Sequence, residues 1–247
     1  MNFAVGLDEA GRGPVIGPLV IGICAVPEDE LHVLKDWGVN DSKVLSKSKR
    51  IFIEKAFNTK LQSSNWFGAT ISLTPERIDF ALQNRGLNAL EVEGFREAIH
   101  LLPLQQNMKI IADACDVNPS RFQHNISQGI KDWPWHNSSL LCEHKADSHH
   151  LIVAMASILA KQERDREIQR LEEQLGFPIG SGYPSDSVTI NALERLCGQK
   201  QIHQEVRWSW ATIQRFWRQH RRGEPPIRGR QRHFQQRLFE DEDPRSS

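Results

Sequence analysis

The sequence predicts an α/β protein in which short buried strands alternate with longer helices. Short apolar runs bounded by glycine, proline or acids are typical of strands, and apolar residues that recur every three to four positions are typical of helices. The predicted strands cover residues 3–8, 19–26, 66–73, 109–113 and 140–142. The clearest predicted helices cover residues 87–101, 151–175 and 188–196. The first two strands are expected to pair as a hairpin.

The composition is that of a globular protein. The chain has 247 residues, of which 39% are hydrophobic and 25% are charged, enough for one large domain or two small ones. No apolar run is long enough to cross a membrane, and Asp8 interrupts the first one, which argues against a signal peptide. We therefore expect a cytoplasmic protein without a membrane partner, and we take it to be a monomer.

The cysteines do not suggest a zinc site or a disulfide framework. The four of them, Cys24, Cys115, Cys142 and Cys197, are widely spaced and include no Cys-x-x-Cys pair. Buried free thiols are the expected state.

The charge balance is informative only locally. Lysine plus arginine equals aspartate plus glutamate, 31 each. Residues 205–232, however, contain eight arginines and two glutamates, together with Trp208, Trp210, Phe216 and Trp217. This pattern fits contact with a nucleic-acid strand, and it fits equally an amphipathic helix with an aromatic inner face. From residue 221 onward arginine, proline, glutamine and acids dominate, and we expect a flexible tail over 221–247.

Residues 3–18 carry the most specific local pattern. An apolar strand runs into Asp8 and Glu9, and Gly11-Arg12-Gly13-Pro14 follows. Isolated charge at the end of a core strand costs several kcal/mol, roughly, unless a cation or solvent answers it. Glycine amides and an arginine suit an anion. The alternative is a solvated strand end followed by an ordinary turn.

Other predicted strands also end in acids, Asp113 after one and Asp147 after another. If these strands are neighbours in one sheet, the carboxylates converge, and oxygen ligands of this kind favour Mg²⁺ or Mn²⁺. Two such ions about 4 Å apart can promote phosphoryl transfer. Two questions stay open: Asp147 can instead cap the following helix, and a regular strand sends Asp8 and Glu9 to opposite faces.

Two further segments are candidates for binding. Asp41-Ser42-Lys43 precedes a helix that Ser46 is expected to cap, and it places positive charge next to a hydroxyl. Gly180-Ser-Gly-Tyr183-Pro-Ser-Asp186 is a Gly/Pro-rich loop around the only tyrosine. A loop with this composition is a candidate binding loop.

Six ordered blocks together resemble ribonuclease HII, in particular its archaeal-type branch. The blocks are Gly6–Pro14, Asp41–Lys43, Asp113 after its strand, His144–Asp147, Ala156–Asp165 and Gly180–Asp186. They span almost all of residues 1–217, and several motifs in order are far more specific than one.

The resemblance implies a ribonuclease H-like fold, with a mixed central sheet flanked by helices and a helical C-terminal region, over residues 1–220. It implies an endoribonuclease that hydrolyses RNA in RNA–DNA hybrids, including single ribonucleotides embedded in duplex DNA. Cleavage on the 5′ side would leave 3′-hydroxyl and 5′-phosphate ends, with two Mg²⁺ or Mn²⁺ ions as cofactors.

The resemblance also assigns residues by motif position. The catalytic, metal-binding acids would be Asp8, Glu9, Asp113 and Asp147. The substrate contacts would be Gly11, Arg12 and Gly13 at the 2′-hydroxyl of the RNA–DNA junction, Tyr183 at its sugar and base, and Ser42, Lys43 and Lys161 near phosphates. The 2′-hydroxyl is what distinguishes RNA from DNA, which agrees with a turn built for close backbone approach.

Several departures and alternatives remain. His149 and His150 stand where the family more often has charged and aromatic residues, and either is a candidate extra participant. Archaeal relatives often end in a sliding-clamp peptide, but the spacing in residues 231–239 does not match one. A silent nucleic-acid-binding module would lack one of the acids. The ribonuclease HIII type would carry an extra N-terminal domain, for which the position of Asp8 leaves no room.

Overall fold

The computed structural model describes residues 1–198, 201–221 and 223–229. Its strands are β1 (Phe3–Ala10), β2 (Leu19–Pro27), β3 (Phe67–Leu73), β4 (Met108–Asp113) and β5 (Ser139–Glu143). Within the described residues they form a mixed five-stranded sheet in the order β3-β2-β1-β4-β5. β1, β2 and β3 pair antiparallel, and β4 and β5 run parallel to β1. The predicted strands and the β1–β2 hairpin are confirmed.

Helices cover both faces of the sheet and form the C-terminal region. They are α1 (Leu31–Asp36), α2 (Lys47–Ser63), α3 (Pro75–Asn84), α4 (Leu87–His100), α5 (Pro119–Ser127), α6 (Ala146–His149), α7 (Leu151–Leu175), α8 (Ser187–Leu196) and α9 (Ala211–His220). Their starts follow the sequence: the Ser46 side chain accepts from the Lys49 amide, and Asp186 accepts from the Val188 amide.

The sheet separates two hydrophobic layers because strand side chains alternate between faces. Val5 and Leu7 of β1 point into a layer with α3, α4 and α5, while Ala4 points into a layer with α7. α7 lies directly on the strands, since a Cβ at Gly6 would be 2.2 Å from the Ile152 carbonyl oxygen. This close packing carries the polar half of α7 to the end of β1, where Asp8 and Glu9 lie.

A third hydrophobic cluster joins the end of α7, α8 and α9 to residues Val15 and Ile16. Trp208, Phe216 and Trp217 are buried in it. These three aromatic residues therefore pack as the inner face of a helical region, the second of the two sequence interpretations, whereas Trp210 is half-buried and its indole donates to the Gly13 carbonyl oxygen. The four cysteines are buried free thiols, as expected.

The first part of the expected tail contacts the body of the protein. The Arg221 guanidinium donates to the Cys197 and Glu194 carbonyl oxygens, and the Arg228 guanidinium pairs with buried Asp79. Residues 230–247 lie outside the described residues, so the domain boundary and the flexible tail stay predictions. In the part of the chain that the structure describes, no helix is both long and apolar enough to cross a membrane.

Candidate active site

Three of the predicted acids meet at one end of the sheet. Asp8, Glu9 and Asp113 each offer a carboxylate oxygen, and these oxygens lie within 4.8 Å of one another. The parallel ladder between β1 and β4 ends at the pair Leu7–Ala112. Asp8 and Asp113 are the next residues on the two strands, so strand order and register bring them together.

Asp8 and Glu9 lie in the part of β1 that extends beyond its pairing with β4. β1 continues its regular pairing with β2 as far as Ala10, so no bulge turns the chain here. On its other side β1 has already passed the end of the β4 ladder. Both side chains nonetheless bring an oxygen to the cluster with Asp113, although they come from successive positions of a regular strand.

Asp147 lies beside this cluster and does not cap α7. It sits in the short helix α6, and the residue before α7 makes no side-chain cap hydrogen bond. The Ala146 amide donates to Asp113 Oδ1 at 2.9 Å, and Asp147 Oδ2 lies 3.3 Å from Lys43 Nζ. The N-cap alternative is thus wrong, because β5 is followed by a separate turn of helix that carries Asp147 to Asp113.

The carboxylates of the cluster are partly or fully buried and repel one another. Asp8 is 4% exposed, and burial together with the charges of Glu9 and Asp113 raises the pKa of Asp8 well above its ordinary value. Burial, and then the charges of Glu9 and Asp147, raises the pKa of Asp113 to about 6 against the lowering effect of the Ala146 amide. A desolvated set of carboxylate oxygens with this repulsion fits a divalent cation.

The Gly11-Arg12-Gly13 turn is held from behind by a buried arginine. The Arg207 guanidinium donates to the carbonyl oxygens of Gly11 at 2.6 Å, Arg12 at 3.1 Å and Gly17 at 3.0 Å. In a trans peptide the C=O and N–H groups point in opposite directions. The amides of Arg12 and Gly13 therefore face away from Arg207, in the part of the turn that lines the cleft.

Gly11 is required at its position. Its φ is +92°, and a Cβ there would lie 2.4 Å from the side chain of Arg164. The Arg164 guanidinium is buried below the turn and donates to the Ser181 carbonyl oxygen at 2.9 Å. Two arginines from distant parts of the chain thus fix the shape of one short turn.

Helix α4 holds the side chain of Arg12. Arg12 Nη2 donates to Asn88 Oδ1 at 2.8 Å, and Arg12 Nε lies 2.9 Å from Glu91 Oε1. Burial first, and then the charge of Glu9, raises the pKa of Glu91 to about 8, although Arg12 lowers it. Arg12 is therefore held in one place beside the acids.

The loop that carries Tyr183 closes over the same turn. The Gly182 carbonyl oxygen accepts from the Val15 amide at 2.7 Å, and the Ser181 amide donates to Asp186 Oδ2 at 2.7 Å. The Tyr183 ring is 37% exposed, and its edge would be 3.4 Å from a Cβ at Gly13. A partly exposed aromatic ring, with the Arg164 guanidinium over it, thus borders the amides of the turn.

One cleft of about 390 Å³ connects these features. Of the eleven residues that the sequence assigned to the site, ten line it, and Asp147 lies just outside. Ser42 and Ser157 share a hydrogen bond at 2.9 Å, and Lys161 Nζ lies 2.7 Å from Asp165. A larger, mostly apolar cavity of about 550 Å³, lined by Met1, Phe3 and Trp66 among others, contains none of the assigned residues.

Sequence reasoning missed Arg164, Arg207 and Glu91 as parts of the site. Arg164 lies in a resembling block, but no pattern separates Arg207 from the other seven arginines of its segment, and Glu91 sits on an ordinary helix. His149 and His150, which the sequence offered as extra participants, both contact Glu143, at 3.4 and 2.9 Å.

The chain matches the family model described as Ribonuclease HII over residues 5–213. A ribonuclease HII of Pyrococcus horikoshii is 40% identical over 212 residues, which are 85% of this chain and 91% of that protein. The chain belongs to the ribonuclease HII family. The resemblance stated from the sequence motifs is therefore confirmed. Ribonuclease HII of Methanococcus maripaludis is 38% identical over 217 residues, 85% of each chain.

Solved structures of ribonuclease HII share the fold. The ribonuclease H2 of Pyrococcus horikoshii superposes with a TM-score of 0.74 at 39% identity, covering 88% of this chain and 98% of that one. Ribonuclease HII in the PCNA complex from Archaeoglobus fulgidus has a TM-score of 0.69 at 35% identity, covering 84% and 95%. Bst ribonuclease HIII with Mn²⁺, at 19% identity, shares the fold alone.

Family membership gives the coarse activity. The protein is a metal-dependent ribonuclease H of type HII, an endoribonuclease that acts on RNA–DNA hybrids. The ribonuclease H-like mixed sheet with helices on both faces and a helical C-terminal region is confirmed.

Proposed function

We propose that this protein cuts single ribonucleotides embedded in duplex DNA as well as longer RNA in hybrids, on the 5′ side of the ribonucleotide. The observation that carries the proposal is the single cleft, in which the carboxylate cluster lies next to the free amides of the Gly11-Arg12-Gly13 turn. A turn that recognises one 2′-hydroxyl next to a metal-binding cluster requires no second ribonucleotide in the substrate. The products would have 3′-hydroxyl and 5′-phosphate ends.

Asp8, Glu9, Asp113 and Asp147 would hold two divalent ions, Mg²⁺ or Mn²⁺. Bound in this way, the ions would activate a water molecule and stabilise the leaving oxygen. Lys43 would act as a cation at Asp147 before metal binding: its side chain is 76% exposed and its ammonium group lies 3.3 Å from the carboxylate. Once released, it can turn to a substrate phosphate, together with Ser42 and Lys161.

The amides of Arg12 and Gly13 would donate to the 2′-hydroxyl at the RNA–DNA junction. Tyr183 would pack against the sugar and base of the same nucleotide. Gly11 contributes by allowing the turn to lie against Arg164. Because backbone amides and an aromatic face read no base edge, we expect cleavage at any of the four ribonucleotides.

The experiment compares two acids that are register partners on neighbouring strands, Asp113 on β4 and Glu143 on β5. The substrate is a duplex with one embedded ribonucleotide, with Mg²⁺ or Mn²⁺. We expect Asp113→Asn to lose cleavage and Glu143→Gln, whose carboxylate pairs with two histidines, to keep it.

Absence of a metal-dependent cut by the wild type would remove the proposal. Equal cleavage by the wild type and Asp113→Asn would remove the site assignment alone. Cleavage of a four-ribonucleotide tract but not of a single ribonucleotide would favour a specificity for long hybrids.

Two further expectations belong to this proposal. We propose a cytoplasmic monomer, which size-exclusion chromatography with light scattering tests as far as the monomer is concerned. One structural relative is a PCNA complex, and residues 231–239, the segment to compare with a clamp peptide, lie outside the described residues. Binding to a sliding clamp, measured with and without residues 230–247, tests that partner.

A further inference from the structure

A second group of atoms that could bind a metal shares Glu9 with the carboxylate cluster. Glu9, Glu91 and Cys115 each offer one ligand atom, and the three atoms lie within 4.8 Å of one another. They come from β1, from α4 and from the chain just after β4. The Cys115 thiol donates to Glu9 Oε2 at 3.2 Å. Three separate parts of the fold thus bring a thiol and two carboxylates to one point.

Glu91 is the unusual member of this group. It has no exposed surface. Its Oε1 forms an ion pair with Arg12 Nε at 2.9 Å, and its Oε2 has no hydrogen-bond partner among the described residues. Buried carboxylates are normally hydrogen-bonded, because leaving one without a partner is costly. The Glu91 carboxylate, which has an oxygen within 4.8 Å of the Cys115 sulfur and of a Glu9 oxygen, is therefore available as a metal ligand.

We propose that Glu9, Glu91 and Cys115 bind a thiophilic divalent ion, with Zn²⁺ as the natural candidate and Co²⁺ and Cd²⁺ as probes. One sulfur and two carboxylate oxygens suit these ions, whereas Mg²⁺ and Mn²⁺ prefer oxygen ligands alone. Three protein ligands leave a fourth position for water, as in open zinc sites. Binding replaces the thiol proton of Cys115, which leaves to solvent, and it requires no oxidant or reductant.

The shared ligand gives the site a consequence for the reaction, and this step rests on the proposed function. Glu9 is the one residue that belongs both to the thiophilic group and to the carboxylate cluster among the described residues. Zn²⁺ held by Cys115 and Glu91 would draw the Glu9 carboxylate toward them and change the geometry that it shares with Asp8 and Asp113. The ion would also lie close to the positive charge of Arg12, and the thiolate formed on binding offsets that repulsion. The site would make the enzyme sensitive to Zn²⁺ in a way that Mg²⁺ or Mn²⁺ does not reproduce.

The test uses Co²⁺ alone, without nucleic acid. Co²⁺ bound to a thiolate has a near-ultraviolet charge-transfer band that oxygen ligands do not produce. We expect the band on titration of the wild-type protein and its loss in Cys115→Ser and Cys115→Ala. Cys142→Ser is the matched control, because Cys142 is another buried free thiol that belongs to no group of metal-ligating atoms among the described residues. It should keep the band.

Glu91→Gln tests the second ligand. It should keep a thiolate band but bind Co²⁺ at least about tenfold more weakly, since even outer-sphere partners of metal ligands are worth that much. Circular dichroism and thermal melting establish that each variant is folded. A wild type without the band, a band that survives in both Cys115 variants, or unchanged Co²⁺ affinity in Glu91→Gln would each overturn the proposal.

An activity measurement then separates this proposal from the proposed function. At a fixed Mn²⁺ concentration, Zn²⁺ should inhibit the wild type and Cys142→Ser at least about tenfold more strongly than Cys115→Ser. A Co²⁺ band in a protein that cuts no ribonucleotide would contradict the proposed function and leave the site standing. Normal cleavage without a Co²⁺ band would contradict the thiophilic site and leave the proposed function standing.

Discussion

The two sides of the cleft are built in different ways. On one side Asp8, Glu9 and Asp113 project from the ends of strands whose register alone brings them together. On the other side the Gly11-Arg12-Gly13 turn depends on Arg164 and Arg207, which come from far along the chain. The acidic side therefore follows from local pattern and sheet geometry, while the turn side follows from tertiary packing.

The difference extends to electrostatics. The carboxylates repel one another, whereas the carbonyl oxygens of the turn all accept hydrogen bonds, those of Gly11 and Arg12 from the Arg207 guanidinium and that of Gly13 from the Trp210 indole. Removing a charged group from the carboxylate side should stabilise the folded protein, and removing one of the arginines that hold the turn should destabilise it.

The largest expected effect is that of Asp8→Asn on catalysis. We expect cleavage to fall at least about 100-fold, since removing one group that stabilises developing charge costs about 3 kcal/mol or more. The same change should raise the Tm of the metal-free protein by about 2 °C or more, because it removes a buried, repelled carboxylate. Single-turnover cleavage and differential scanning calorimetry measure the two effects. A lower Tm would contradict the account of the acidic side.

Arg207→Lys should have the opposite effect on stability, because it weakens the contacts that hold the turn. The single nitrogen of a lysine ammonium group cannot span three carbonyl oxygens that Nε, Nη1 and Nη2 of Arg207 contact separately. Each hydrogen bond to a charged group is worth about 1.5–3 kcal/mol. We expect the preference for a ribonucleotide over a 2′-fluoro nucleotide at the cut site, measured as the ratio of kcat/KM values, to fall about 10- to 100-fold.

Arg221→Lys is the matched control, because that guanidinium also donates to three carbonyl oxygens, those of Cys197, His220 and Glu194, away from the cleft. It should leave the preference unchanged. If both variants lose stability equally and neither loses the preference, the turn does not depend on Arg207 for reading the 2′-hydroxyl.

The acidic side also predicts a dependence of stability on pH. The pKa of Asp113 is raised to about 6, so the folded state binds its proton more tightly than the unfolded state. This contribution is fully present below about pH 4 and is lost as the pH rises through about 6. The Tm of the metal-free protein should therefore carry a component that falls over this window.

Asp113→Asn should remove that component, and Mn²⁺ should offset it in the wild type. Thermal melting from pH 4 to 7, with and without Mn²⁺, checks both. A component that is the same in Asp113→Asn would assign it to other groups.

The smallest effect is expected at Tyr183. Stacking of an aromatic side chain on a base or sugar is worth about 1–3 kcal/mol. Tyr183→Ala should weaken binding of a one-ribonucleotide duplex about tenfold, and Tyr183→Phe, which keeps the ring, should stay within about twofold of the wild type. Fluorescence anisotropy with Ca²⁺ in place of the catalytic metal measures both. Equal losses would indicate that the hydroxyl group, and not the ring, makes the contact.

The sequence allowed the acidic side to be predicted well. Apolar runs ending in Asp8 and Asp113 located the strands, and parallel strands that end together place their last residues together. It did not determine whether Asp8 and Glu9 share a site, because the strand period alone sends successive side chains to opposite faces. It left open whether Asp147 caps the long helix, since the extra turn α6 has no distinctive pattern over four residues.

The turn side was predicted as a motif but not as a structure. Gly11 and Gly13 predicted a turn, but no neighbouring residue in the sequence indicates which group holds that turn in place. Arg207 is separated from Gly11 by 196 positions and is one of eight arginines in its segment. Glu91 on α4 was missed for the same reason: its partner Arg12 is brought to it only by the packed fold.

The most direct test of the shared cleft is the position of the cut in a duplex that contains one ribonucleotide, mapped at single-nucleotide resolution with Mn²⁺. A cleft that reads the 2′-hydroxyl beside the carboxylates predicts one cut, on the 5′ side of the ribonucleotide, and none in the same duplex made entirely of DNA. Cuts scattered along the strand, or equal cutting of the all-DNA duplex, would contradict it.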